Sequence, residues 1–459
     1  LTVSPCIAWS GTANSRFPAT TAETRLRKAA TIAICGLAVL GSAQVVQAAD
    51  WYVDVAAPTA GSGASPQAAW RRFADIDWSR LKPGDTLHIL GGPCDPPYRE
   101  TLVVGAGGTA AAPLVIKGAA RAGAGSPVID GENRREGGVI LRRRDHVTLR
   151  NLDIRNHPDA GIVVHEARAG VLVEGNRIFS GDPGGGNARG IDARRNAGPT
   201  PLIVRANRFT TPARTKAQTD GIYSMDNDGG VFEGNHIVVS NADTTGHSDN
   251  FQSFRDRRIT VRDNWFEQAN TAITDNHGAW MSNTRTGGTI EFHSNVVLAP
   301  NLTGDAAVAH HLTDDWTETG TAVIRNNTII GGGRAVTLAN SPQARVLNNI
   351  IVPPPGGRAL VILDTAPPAS HIDNNLLGLP LRTVAYVDME KRHLSWAEWR
   401  ARGYEARGAV ADPPPSATDP ERLRMAGAVP LGGRGASLLP PPLANPPTCL
   451  PAGPRPARR

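Results

Sequence analysis

A short pattern of alternating apolar residues closing on an asparagine recurs along the middle of this chain, and no other feature limits its fold so tightly. It reads Val171-Leu-Val-Glu-Gly-Asn176, then Leu202-Ile-Val-Arg-Ala-Asn207, Gly230-Val-Phe-Glu-Gly-Asn235, Ile259-Thr-Val-Arg-Asp-Asn264, Ile290-Glu-Phe-His-Ser-Asn295 and Val323-Ile-Arg-Asn-Asn327. Weaker copies end at Asn349 and Asn375, and Val147-Thr-Leu-Arg-Asn-Leu152 opens the series with Leu in the Asn place. The intervals are 24, 31, 28, 29, 31, 32, 22 and 26 residues. A unit of that length suits one coil of three short strands, with alternate side chains inward. A single coil cannot pair its own backbone groups, whereas parallel stacking pairs them and buries an apolar column. Asparagine suits the turn because it tolerates left-handed backbone and can bond to the same residue one coil away. The pattern predicts an all-β, right-handed parallel β-helix of about nine or more coils.

The remaining organisation is read around that core. Arg25, Arg27 and Lys28, the apolar stretch Ala29–Ala43 and the small residues around Ala48 predict an export leader over residues 1–49, with residues before about Ala22 upstream of the true start. Residues 50–130 are expected to form the N-terminal cap and first coils, 131–380 the β-helix core, and 381–459 a C-terminal capping element and Pro-rich tail. Trp70, Phe73 and Trp78 suggest a short capping helix over Ala68–Leu81, which would cover unpaired strand edges. Without Arg16, Arg25, Arg27, Lys28 and Glu23, 44 basic residues face 41 acidic ones. That balance excludes a dedicated nucleic-acid binder, which concentrates basic charge. No apolar run reaches the ~18–20 residues of a membrane span. Cys94 and Cys449 remain after the leader and could form one disulfide. A monomer is expected.

The N-terminal segments Trp51-Tyr-Val-Asp, Lys82-Pro-Gly-Asp-Thr-Leu-His-Ile-Leu-Gly-Gly, Tyr98-Arg-Glu-Thr-Leu and Val128-Ile-Asp-Gly resemble the entry of the pectate-lyase-like β-helix superfamily of secreted polysaccharide-acting proteins. Ser395-Trp-Ala-Glu-Trp-Arg resembles the short helix that follows the last coil in many relatives. The resemblance spans roughly residues 50–430 and implies the fold and an acidic polysaccharide as partner. The Asn-Gly-Phe-Lys strand of one calcium-dependent lyase group is absent, as are the Gly-His-Gly motif of pectin hydrolases and the Asp-Pro-His signature of alginate epimerases.

Polar residues concentrate between Lys216 and Asp315. Asp220 and Asp249 each lie 15 residues before a repeat Asn, which makes them neighbours in successive coils. Strict alternation would send both inward with Ile222 and Phe251, so an outward site requires a break of phase at Gly221 and Asn250. Two carboxylates so close call for a cation or a shared proton. Asp220, Asp249 and Asn250 are therefore candidate ligands for Ca²⁺, and an acid–base pair is the alternative. For β-elimination on a uronate, the candidate catalytic residues are Lys216, His247, Arg255 and His277. Lys216 is the only Lys between residues 118 and 390. Tyr223, Gln252, Arg257, Trp280 and His310 are candidate substrate-binding residues, with at most one of His310 and His311 facing outward. The expected function is a secreted polysaccharide lyase. A hydrolase or epimerase of the same fold, or a non-catalytic carbohydrate-binding β-helix, remains open.

Overall fold

The structure is a computed structural model. It describes residues 48–412 apart from 122–124, 182–186, 212–217, 241–246, 270–275, 314–316, 364–370 and 379–382. The expected leader, the Pro-rich tail, Lys216, Asp314, Asp315 and Cys449 lie outside the described residues. Cys94 is disulfide-bonded, and its partner lies outside them as well.

Each turn of the chain contributes one strand to each of three walls. Among the described residues the walls hold 12, 11 and 12 strands, about ten turns of an all-β solenoid. One turn illustrates the circuit: Asp228–Glu233 lies on the first wall, His236–Val239 on the second and Ser248–Phe254 on the third. Neighbouring coils pair in parallel; Arg392–Leu394, at the end of the third wall, pairs antiparallel with Ala385–Val387. The interior is a continuous apolar column, with Phe232, Phe251, Phe266 and Phe292 in ring contact one after the next within and between coils. Among the described residues, no helix is long and apolar enough to cross a membrane.

The repeat asparagines form a buried ladder between the first and second walls. The backbone N–H of Leu152 donates to Asn176 Oδ1 at 3.1 Å, and Asn176 donates in turn to Asn207 at 3.0 Å. The chain of bonds continues through Asn235, Asn264, Asn295, Asn327 and Asn349 to Asn375. It is the residue before each Asn, not the Asn itself, that takes the left-handed backbone: Ala206, Asp263 and Ser294 have φ of 53°, 56° and 58°. The ladder ends on buried Glu405, whose two carboxylate oxygens accept from the Asn375 backbone at 2.9 Å and side chain at 2.6 Å. A second, shorter ladder joins Ala167, Asn196, Asn227 and Asp256 between the third and first walls.

The expected helix over Ala68–Leu81 does not form. Two three-residue 3-10 turns, Pro66–Ala68 and Phe73–Asp75, take its place. Trp70 is drawn into an extended bridge with Val53 and stacks on Trp51 at 5.5 Å, while Phe73 stacks on Tyr98 at 4.6 Å. The three aromatics thus serve separate contacts rather than one helical face. Near the other end, Trp396–Ala401 forms an α-helix started by a Ser395–Glu398 capping box, and it buries Trp399.

Candidate functional site

The third wall positions the site through a systematic break in its alternation. Arg189 pairs with Asp220 and Ile191 with Ile222, skipping the pair between them; Asp249 with His277 and Phe251 with Ala279 repeat the skip. The skipped positions in this part of the wall are Gly138, Gly161, Gly190, Gly221, Asn250 and Gly278, where the wall presses against the second. A Cβ at Gly221 would stand 2.3 Å from the Ile237 side chain and 2.5 Å from the Asn250 carbonyl oxygen. Residues on both sides of the skip can then be inward and outward in turn without strict alternation. Ile222 and Phe251 point into the stack, whereas Asp220, Asp249 and His277 leave the wall on the side of Tyr223, Gln252 and Trp280. Ring contacts establish this: His277 lies 4.4 Å from Trp280, and the Arg189 guanidinium lies 4.7 Å from the Tyr223 ring centre.

Asp220 and Asp249 are side by side, as the equal offsets imply. Asp220 Oδ1 accepts from the Asp249 backbone N–H at 3.1 Å. Asp249 in turn lies between two imidazoles. His277 Nδ1 is 2.9 Å from Oδ1 and His247 Nε2 is 2.9 Å from Oδ2. The His277 contact meets hydrogen-bond geometry, whereas the His247 contact is established by its distance alone. Both carboxylates are fully buried and His277 nearly so, while the His247 side chain keeps 25% of its exposure. Tyr223, Gln252 and Trp280 beside it are half-buried.

Burial sets the charges. It raises the Asp220 carboxyl to about 7, helped by the neighbouring Asp249 charge and only partly opposed by His247 and Arg189. Burial would raise Asp249 too, but the two imidazoles outweigh it and hold that carboxyl below its ordinary value. Below neutral pH the pair therefore divides into a protonated Asp220 and an ionised Asp249. Burial also raises the Tyr223 phenol, against the pull of Arg194 and Arg189.

Other expected site residues are placed elsewhere. His310 is sealed inside the stack, 3.0 Å from Thr284 Oγ1 and 2.7 Å from Ser341 Oγ, and burial lowers its ring to about 3. A substrate cannot reach it; its neighbour His311 instead takes the outward position, 5.3 Å from Trp280. Arg255 and Arg257 sit at the turn into the first wall, ion-paired with Asp226 and Asp228 one coil back. Asn250 occupies a skipped position, and its side chain donates inward to the Ile237 and Glu267 carbonyls at 2.9 and 3.0 Å. It does not join the two aspartates as a ligand.

Among the described residues, the atoms that could hold a metal ion are instead those of His247, Asp249 and His277, all within 4.8 Å of one another. Two imidazole nitrogens and one carboxylate oxygen do not fit calcium, which takes oxygen ligands, and suit a zinc-class ion. The sequence reading missed Arg189 and Arg194, whose guanidiniums flank Tyr223 at 4.7 and 4.9 Å. Arg189 carried a usable signal, because it is two residues before Ile191 just as Asp220 is two before Ile222.

Residues 137–311 match the family model of the right-handed beta helix region. No curated protein sequence matches the chain. Solved structures similar to it include an alginate lyase from Paenibacillus sp. str. FPU-7, with 11% identity over 74% of this chain and 96% of that one, at a TM-score of 0.36. XylC in complex with xylose aligns at 10% identity over 79% and 86% of the two chains, with a TM-score of 0.45. A rhamnogalacturonan lyase aligns at 13% identity over 76% and 86%, with a TM-score of 0.33. At this distance none of them says what this chain acts on.

Proposed function

We propose that this right-handed β-helix protein is a polysaccharide lyase, exported from the cell, that cleaves a uronate-containing chain by β-elimination on the outer face of its third wall. The observation that carries the reading is the Asp249 carboxylate between His247 and His277, with His247 alone of the three partly open to solvent. An ionised Asp249 faces Nε2 of His247, and the part of that ring that stays open to solvent is the part a sugar can reach. His247 then removes the proton from C5 of the uronate. The C4–O bond breaks, a C4=C5 double bond forms, and the leaving oxygen takes up a proton. Asp249 positions the ring and stabilises the imidazolium, the part played by the carboxylate in an Asp–His pair. Tyr223, Gln252 and Trp280 supply polar and aromatic contacts for the sugar rings.

One observation favours hydrolysis instead: two adjacent carboxylates with opposite protonation are the usual equipment of glycosidases. Burial supports the elimination reading over hydrolysis. Neither Asp220 nor Asp249 has surface with which to flank a glycosidic bond, whereas His247 does.

Incubation with pectate, alginate, glucuronan and glycosaminoglycans tests this. A lyase generates ultraviolet absorbance from unsaturated uronate ends on at least one of them, and His247→Ala lowers that rate about 10²–10⁴-fold. New reducing ends without absorbance would assign hydrolysis. The proton-transfer route needs no ion, so activity should survive a chelator; loss restored by zinc would assign the trio to a metal.

A further inference from the structure

The wall that carries this cluster continues past it to a second polar feature. The inward residues Phe251, Ala279, Val308, Val336 and Leu360 pair rung to rung. Arg334 and Arg358 stand two residues before Val336 and Leu360, just as Asp249 and His277 stand two before Phe251 and Ala279, and the two arginines pair with each other. The pair between them and the inward residues is skipped here too, at buried Ala335 and Ala359. Arg334 and Arg358 therefore continue the column of Asp249 and His277, three and four rungs beyond Asp249. At ~4.8 Å per rung, they lie about 14 and 19 Å along the wall.

The column of Gln252 and Trp280 extends in the same direction through Ala309, Thr337, Val361 and Tyr386 to His393. At this end the two columns border a cavity of about 570 Å³, lined by Arg334, Arg358, Val361, Tyr386, Asp388 and His393 among others. Two guanidiniums on adjacent rungs repel each other unless an anion lies between them. Among the described residues neither arginine is ion-paired with a carboxylate. Arg358 instead donates to His393 Nδ1 at 3.0 Å. Among the described lining residues the one carboxylate is that of Asp388, already held by Lys391 at 2.8 Å and by the Tyr386 hydroxyl at 3.0 Å. The Tyr386 and His393 rings, 4.9 Å apart, form an aromatic flank.

We propose that this hollow is a distal subsite for an acidic glycan, in which Arg334 and Arg358 hold a uronate carboxylate while the same chain extends along the wall to His247. The inference rests on the polysaccharide reading above and adds the direction of the bound chain and its minimum length. Guanidinium and carboxylate match as a bidentate pair, which gives specificity for charge as well as affinity. Chains too short to span the interval cannot use the subsite.

The test is calorimetric binding to the His247→Ala protein, which isolates affinity from turnover. The ligands are a trimer and an octamer of each acidic polysaccharide, with carboxyl-reduced octamers as neutral controls. The octamer should bind at least about tenfold tighter than the trimer. Arg334→Gln/Arg358→Gln should remove most of that advantage while the melting temperature stays near that of the parent, and Arg358→Lys should retain part of it. An advantage that persists in the double variant, or equal binding of the neutral octamer, overturns the subsite. Absence of any octamer advantage in the parent does the same. If the advantage disappears as expected but the wild-type protein generates no unsaturated ends, the subsite stands and the lyase reading falls.

Discussion

Asp220 shows how one buried residue can impose a pH dependence on the whole molecule. Its carboxyl is raised from 3.8 to about 7, first by burial and then by Asp249, so the folded chain keeps a proton that the unfolded chain gives up. The stability this contributes is complete below about 3.8 and lost as pH rises through about 7. Asp220→Asn mimics the protonated form and should flatten that part of the profile. Melting temperatures of wild type and variant at intervals from pH 4 to 8 check it; parallel curves would exclude Asp220 as the source. The placement of this residue was legible from its equal offset with Asp249 before a repeat Asn. Its protonation was not, because that depends on how completely the surrounding chain removes water. His310 and His311 show the same limit. Sequence alone required that one face outward, and only the register of Val308–His311 on the wall decides that it is His311.

Strands and ladders follow from local chemistry plus one requirement at each end. Glu405 terminates the long ladder by accepting two hydrogen bonds from Asn375, which only a carboxylate can do with both oxygens. Glu405→Gln turns an NH₂ toward a buried donor and should cost about 1–3 kcal/mol, read from the urea midpoint. A change below a few tenths would mean that the end of the ladder is not tightly held. Within the third wall, Gly221→Ala brings a methyl group against Ile237 and the Asn250 carbonyl, and should destabilise by about 1–3 kcal/mol. It should also weaken activity by displacing Asp220 and, through their hydrogen bond, Asp249, whereas an unaltered midpoint would contradict the close approach. The long ladder could be read from its intervals because its asparagines share a recurring local pattern. The second ladder has similar spacing between Asn196, Asn227 and Asp256, but it changes residue type at its end and lies in charged turns, which concealed it.

At the scale of the molecule, stability passes from coil to coil, since each turn mainly contacts its neighbours. Trp399, fully buried and stacked on Tyr404 at 4.1 Å, packs beside the last coils. Trp399→Ala should cost about 3–5 kcal/mol. In hydrogen exchange the added opening should appear in Arg358–Ile362 and Ala385–Val387 and leave Gly137–Arg142 protected; uniform loss along the rod would argue for one cooperative unit instead. The amino-acid sequence by itself determined that this chain stacks coils, how long each coil is, and that Asp220 and Asp249 are neighbours, because a repeating backbone pairing leaves a repeating pattern. Only the tertiary structure decided that Asn250 turns inward, that His247 and His277 close on Asp249 from two different coils, and that Arg334 and Arg358 lie on the same face. Those outcomes depend on the skipped pairs where the third wall meets the second, a steric contact between segments far apart in the chain; the sequence pointed to a break at Gly221 and Asn250 but not to the side chains it brings together.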